Sequence, residues 1–238
     1  MKVRFVMLFA LLLVATVCLQ GNAYRVVLIP TADLLAPGMV KAEYGFVLNE
    51  ETVNPDWFSG YKLDARLPGN FEVYVQVKDS EKQPNLATDV SVQYLVMNET
   101  KTKPNVSVGV WNVNTDAMAL ASTGHRPRGY WVAAAKGVQI PGGVIKRPVR
   151  FTLGAGVESL QGIWGGAIIP ISPFAQIAVE YDPEGIRLPK ASGFTAAIGY
   201  NVTPHFRVKY ANLGGDSAFG LVYTDWWSGV KETGKTLF

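Results

Sequence analysis

The segment Phe71-Glu72-Val73-Tyr74-Val75-Gln76-Val77-Lys78 alternates without a break. Phe71, Val73, Val75 and Val77 fall on one side; Glu72, Tyr74, Gln76 and Lys78 fall on the other. An extended strand sends successive side chains to opposite faces, whereas a helix would scatter the same residues around its circumference. The segment therefore reads as a β-strand with one apolar and one polar face. The period returns along the chain. Val40, Ala42, Tyr44, Phe46 and Leu48 oppose Lys41, Glu43 and Gly45. Tyr61, Leu63, Ala65 and Leu67 oppose Lys62, Asp64 and Arg66, and Pro68-Gly69-Asn70 turns that strand into the next. Val90, Val92, Tyr94 and Val96 oppose Asp89, Ser91, Gln93 and Leu95. Val106, Val108 and Val110 oppose Ser107, Gly109 and Trp111.

The middle of the chain is less regular. Met118 to Ser122 and Tyr130 to Lys136 are candidate strands, although Ala133-Ala134-Ala135 equally suits a short helix. The alternation resumes with Val149 to Val157 around Arg150, then a Gly-rich strand at Gly162 to Ile169. Ala175 to Tyr181 follows around Gln176 and Glu180, then Phe194 to Val202, Phe206 to Tyr210 around Arg207 and Lys209, and Phe219 to Tyr223. The sum is about twelve strands (10–14), each of the length a tilted membrane-spanning strand needs. The fold class expected is all-β: a single antiparallel up-and-down transmembrane β-barrel.

The first 23 residues read as a cleavable signal peptide. Lys2 and Arg4 supply the positive region, Phe5 to Val17 the apolar core, and Gly21-Asn22-Ala23 the small residues at the cleavage site. The expected mature domain is 24–238, an outer-membrane barrel beginning near Tyr24. Cys18 ends the apolar run, but Val17 before it is not the small residue that lipid attachment favours. It is the only cysteine, so its loss with the signal excludes disulfides, a thiol nucleophile and cysteine metal ligation. Removing Lys2 and Arg4 lowers the net charge from +3 to +1, which argues against nucleic acid as a partner.

Alternation alone does not say which face points inward. In a soluble sandwich or lipocalin-like barrel the apolar face is the interior. Two features favour the inverted arrangement. The polar face is rich in Gly, Ala, Ser and Thr between its charges, as a crowded lumen requires. Aromatics also gather near strand ends: Tyr44, Phe46, Tyr61, Phe71, Tyr94, Tyr130, Trp131, Phe174, Tyr181, Phe194, Tyr200, Tyr210, Tyr223, Trp226 and Trp227. Aromatic girdles mark both edges of the lipid band in such barrels.

Three segments resemble a known family. Ile29-Pro30-Thr31-Ala32-Asp33-Leu34-Leu35-Ala36-Pro37-Gly38, running into a strand, is similar to the opening of the YjbH-like outer-membrane barrels. The strand Ala178-Val179-Glu180-Tyr181-Asp182 and the closing strands Phe194 to Tyr200, Thr203 to Tyr210 and Ala218 to Thr224 resemble the same family. The resemblance covers the first barrel strand and the last third of the chain. It implies an outer-membrane barrel associated with exopolysaccharide production, with polysaccharide-export components among its partners. This chain is shorter than the larger family members and shows one barrel.

No catalytic constellation is visible. His125 and His205 are far apart, the Gly-rich stretches 154–156 and 162–166 lack the Lys-Ser/Thr of a phosphate loop, and no Gly-x-Ser-x-Gly elbow occurs. We expect no enzyme activity, no cofactor and no metal. The candidate functional residues are instead the polar set expected to face the lumen: Lys41, Glu43, Lys62, Asp64, Arg66, Glu72, Gln76, Lys78, Asp89, Arg150, Gln176, Glu180, Arg207 and Lys209. Both signs are mixed in it, which favours mutual pairing in a largely plugged interior over a one-sign selective pore. The terminal Phe238 is the kind of residue that barrel-assembly machinery reads. The function expected is thus a non-enzymatic, porin-like protein of the bacterial outer membrane, with a structural, transport or envelope-export role in the lipid bilayer. The alternative is a secreted or periplasmic soluble β-barrel that binds a small apolar ligand or a glycan.

Overall fold

The computed structural model describes residues 30–48, 57–80, 83–114, 128–141, 147–182, 193–213 and 216–226; at some strand ends, Lys78 and Trp226 among them, only the backbone is described. The chain forms twelve strands: β1 (Met39–Leu48), β2 (Trp57–Leu67), β3 (Phe71–Ser80), β4 (Gln83–Met97), β5 (Asn105–Trp111), β6 (Gly129–Val138), β7 (Val149–Glu158), β8 (Gly162–Pro170), β9 (Ala175–Asp182), β10 (Gly193–Asn201), β11 (Phe206–Leu213) and β12 (Asp216–Trp226). Each pairs antiparallel with its sequence neighbours, and β1 pairs with β12, with Met39 opposite Trp226. The sheet is therefore a closed up-and-down barrel without edges, in which each strand pairs with a neighbour on both sides.

An even strand number brings the start of β1 and the end of β12 to the same rim. We call this the proximal rim and the opposite one the distal rim. The proximal connections include the short turns 68–70, 171–174 and 202–205, whereas the longest connection, 112–128, is distal. The β2–β3 turn shows why such turns close here: Gly69 and Asn70 both take positive φ (76° and 68°), which Gly and Asn tolerate best. Asn70 also accepts a hydrogen bond from Arg66 Nη2 at 2.8 Å, and its carbonyl accepts one from the Leu95 N–H at 3.0 Å.

Strands reach further than the alternation indicates. β2 begins at Trp57 and β4 at Gln83, ahead of the alternating residues that start at Tyr61 and Asp89. Tyr130 to Lys136 is strand, not helix: its alanines sit in register between β5 and β7, where cross-strand pairing overrides local helix preference. Met118–Ser122, the signal segment 1–23, Trp227 and Phe238 lie outside the described residues.

The two faces differ in polarity, apolar outside and polar inside. Leu153, Ile163 and Phe194 are 62%, 65% and 72% exposed on the outside. On the inside, Asp64, Glu72, Asp89, Gln93, Ser107 and Glu180 are buried. In β3, Phe71 is exposed while Glu72 and Tyr74 are buried.

Candidate functional site

The lumen is divided unequally by side-chain size. On β5, β6 and β8, Trp111, Trp131 and Trp164 point inward and are each at most 5% exposed. With Ala133, Ala135, Leu160 and Ile168 they form an apolar core inside the barrel. Trp131 thus belongs to the interior and not to an interfacial girdle, a correction to the aromatic pattern read above. Its position has a local cause. Trp131 is in register with Gly109, and a Cβ at Gly109 would overlap the indole. Trp164 lies over Gly154 in the same way. Each bulky ring fits because its cross-strand partner has no side chain.

Residues 30–36, which precede the first strand, lie inside this half of the lumen. Their backbone has no sheet partner, and the barrel wall supplies its hydrogen bonds. Trp164 Nε1 donates to the Pro30 carbonyl at 3.2 Å, Gln93 Nε2 to that of Thr31 at 2.8 Å, and Ser107 Oγ to that of Ala32 at 2.8 Å. The Leu35 N–H donates to Glu72 Oε2 at 2.6 Å. The Thr31 and Thr152 hydroxyls lie 3.2 Å apart. Ala32 is fully buried and packs with the tryptophans. The segment runs from beside Trp164 to the proximal rim. There the Met39 N–H bonds to the Ala36 carbonyl at 3.0 Å and Gly38 takes φ 79°, turning the chain into β1.

An ionic latch holds this plug. Arg150 Nε donates to Asp33 Oδ2 at 2.7 Å, Arg150 Nη2 pairs with Asp33 Oδ1, and Arg150 Nη1 pairs with Glu99 in the β4–β5 turn. Asn105 Nδ2 adds a hydrogen bond to Asp33 Oδ1 at 2.8 Å, and Lys136 lies 3.4 Å from Glu99. Burial alone would raise the Glu99 carboxyl's pKa. Hydrogen bonds from Arg150 and the Gly137 N–H, with the charges of Arg150 and Lys136, outweigh it and hold that pKa below its ordinary range. Asp33 and Glu99 were not among the sequence candidates, because neither lies on an alternating strand.

The opposite half, on β9 to β12 and β1 to β3, is lined by small residues and by a second charge network. Lys41 pairs with Asp64, its register partner on β2, and Lys62 lies 3.4 Å from the other Asp64 oxygen and over the Tyr74 ring. Lys209 reaches Glu43 at 2.9 Å across β12, passing Gly220, where a Cβ would stand 3.7 Å from that of Lys209. Arg207 Nε donates to Asn201 Oδ1 at 2.6 Å. A cavity of about 190 Å³ remains in this half, bounded by Glu43, Lys62, Gln76, Gln176, Arg207 and Lys209, with Val47, Ala197, Ala211 and Leu213 toward the distal rim.

Of the fourteen residues expected in the lumen, Lys41, Asp64, Arg66, Glu72, Asp89, Glu180 and Arg207 are buried, and Glu43, Lys62, Gln76, Arg150, Gln176 and Lys209 are half-buried. The Lys78 side chain lies outside the described residues. Arg150 and Glu72 grip the plug, while Lys41, Glu43, Lys62, Asp64, Arg207 and Lys209 gather around the cavity. His205 is turned to the proximal rim, its Nδ1 2.8 Å from the Thr224 carbonyl. No protein-family model matches the chain, and no curated protein matches it.

Proposed function

We propose that this chain is a non-enzymatic β-barrel of the bacterial outer membrane, with a structural, transport or envelope-export role and a lumen that residues 30–36 and the inward tryptophans fill in one half. The observation that carries this reading is the inversion of the barrel: charged and polar groups inside, apolar side chains outside. An exterior of Leu, Ile, Val, Phe and Tyr in contact with water would be strongly unfavourable, whereas lipid solvates it.

Outer-face aromatics add support. Phe71, Tyr94, Phe151, Phe174, Tyr200 and Tyr223 lie toward the proximal rim, and Tyr130, Tyr181, Phe194, Tyr210 and Phe219 toward the distal rim; all are exposed. β10 carries one of each, Phe194 and Tyr200, about 20 Å apart along the strand, on the scale of the apolar band of such barrels. The longest connection, 112–128, lies at the rim opposite the start of β1, where the longer extracellular loops of this architecture are found. The resemblance of residues 29–38 and of the closing strands to YjbH-like barrels supports an exopolysaccharide-related role, with the barrel-assembly machinery and polysaccharide-export components as partners. The soluble, ligand-binding alternative requires the apolar face to be the inner one.

Fractionation tests the reading. The protein is expected to extract from envelopes only with detergent, and to migrate faster on gels before boiling than after. Release as a soluble protein by osmotic shock would refute it.

A further inference from the structure

We infer that residues 30–36 are a releasable plug, held by a latch in which Arg150 exchanges Asp33 for Glu99 when the segment leaves the lumen. The inference rests on the barrel interior alone and not on where the barrel resides. The segment adds no strand to the sheet. Side chains of the wall hold it instead. Trp164, Gln93 and Ser107 donate to three successive carbonyls, and Glu72 accepts from the Leu35 N–H. Its buried apolar side chains are Pro30, Ala32 and Leu35. Ordering seven residues costs entropy of the same order as these bonds and this burial return. Docked and released segments are therefore close in free energy. A hinge joins the plug to β1, where Gly38 takes φ 79° and the Met39 N–H bonds to the Ala36 carbonyl.

The wall side of the latch is built without the plug. The Glu99 N–H donates to Asn105 Oδ1, and the Gly137 N–H donates to Glu99 Oε1 at 3.0 Å. Lys136 Nζ clasps the same turn through the carbonyls of Thr100, Lys101 and Lys103. In the docked state Arg150 divides its guanidinium, Nε and Nη2 to Asp33 and Nη1 to Glu99. When Asp33 departs, Glu99 stays beside Arg150, so release strands no half-buried charge. The two acids thus act in opposite directions. Asp33 favours the docked segment. Glu99 favours the released one, because there it takes over Arg150.

Labelling of the folded full-length protein with a water-soluble maleimide tests this. With Cys18 replaced by Ser, Ala32→Cys reports on the plug, where the native side chain is fully buried among the tryptophans. Thr195→Cys, equally buried on the inner face of β10, reports on opening of the barrel itself. Ala32→Cys should label while Thr195→Cys stays protected. Asp33→Asn should speed labelling at position 32 about tenfold, and Glu99→Gln should slow it; neither should change position 195. Ser107→Cys, on the wall against the Ala32 carbonyl, should follow the same pattern and serves where Ala32→Cys does not fold. Labelling at positions 32 and 107 no faster than at 195, or Asp33→Asn and Glu99→Gln shifting it in the same direction, would overturn the proposal. Each outcome is readable whether or not the protein fractionates with membranes.

Discussion

Arg150 is the residue on which the plugged half of the lumen turns. It comes from a barrel strand, yet both of its acidic partners, Asp33 and Glu99, lie outside the strands. Asp33→Asn removes one of the two and leaves a half-buried guanidinium under-compensated. We expect a loss of about 1–3 kcal/mol, read as a lower urea midpoint for unfolding from lipid vesicles. Glu99 sets a pH dependence. Its folded pKa lies below the unfolded value, so the stabilisation it contributes is complete above the unfolded pKa of about 4.3. It is lost as pH falls through the lower, folded value. Acid titration of stability should therefore show a decline below about pH 4 that is shallower in Glu99→Gln. A stability profile identical in the two proteins would contradict the latch.

At the scale of the strand, the outer and inner faces make opposite predictions. Leu153 stands in the middle of β7, 62% exposed, between Ala134 and Gly165. Leu153→Arg should cost about 2–4 kcal/mol of stability in bilayers, because it sets a charge in the apolar band. Gly109→Ala acts from the inside: its methyl group collides with the Trp131 indole, and overpacking of about 1–3 kcal/mol should follow, with a change in the near-ultraviolet circular dichroism of the tryptophans. The strand is also the scale at which the sequence was most legible. Period-two patterning separates Glu72 from Val73 and Lys209 from Val208 without any knowledge of partners, since geometry alone assigns the faces. Trp131 was misread because it was weighed by residue type. Its parity, shared with Ala133 and Ala135 and opposite to Val132, places it inside.

At the scale of the molecule, twelve antiparallel strands and closure follow from the number of alternating segments and the turn residues between them. The plug did not follow. Thr31, Ala32 and Asp33 find their partners 60 to 121 positions away, and no local period encodes contacts of that range. The division of the lumen into a tryptophan-filled half and an open half is equally a product of register. It depends on which Gly meets which Trp, and a one-residue slip of pairing would change it. The central claim is the inversion of the barrel, and its most direct test is accessibility along one strand. With Cys18 replaced by Ser, single cysteines are placed in turn at positions 194 to 200 of β10, spin-labelled and reconstituted into vesicles. The account predicts a period of two: labels replacing Phe194, Ala196, Ile198 and Tyr200 collide with lipid-dissolved oxygen, and labels replacing Thr195, Ala197 and Gly199 do not. Outer-face labels that respond instead to a water-soluble nickel relaxant, or no alternation along the strand, would contradict it.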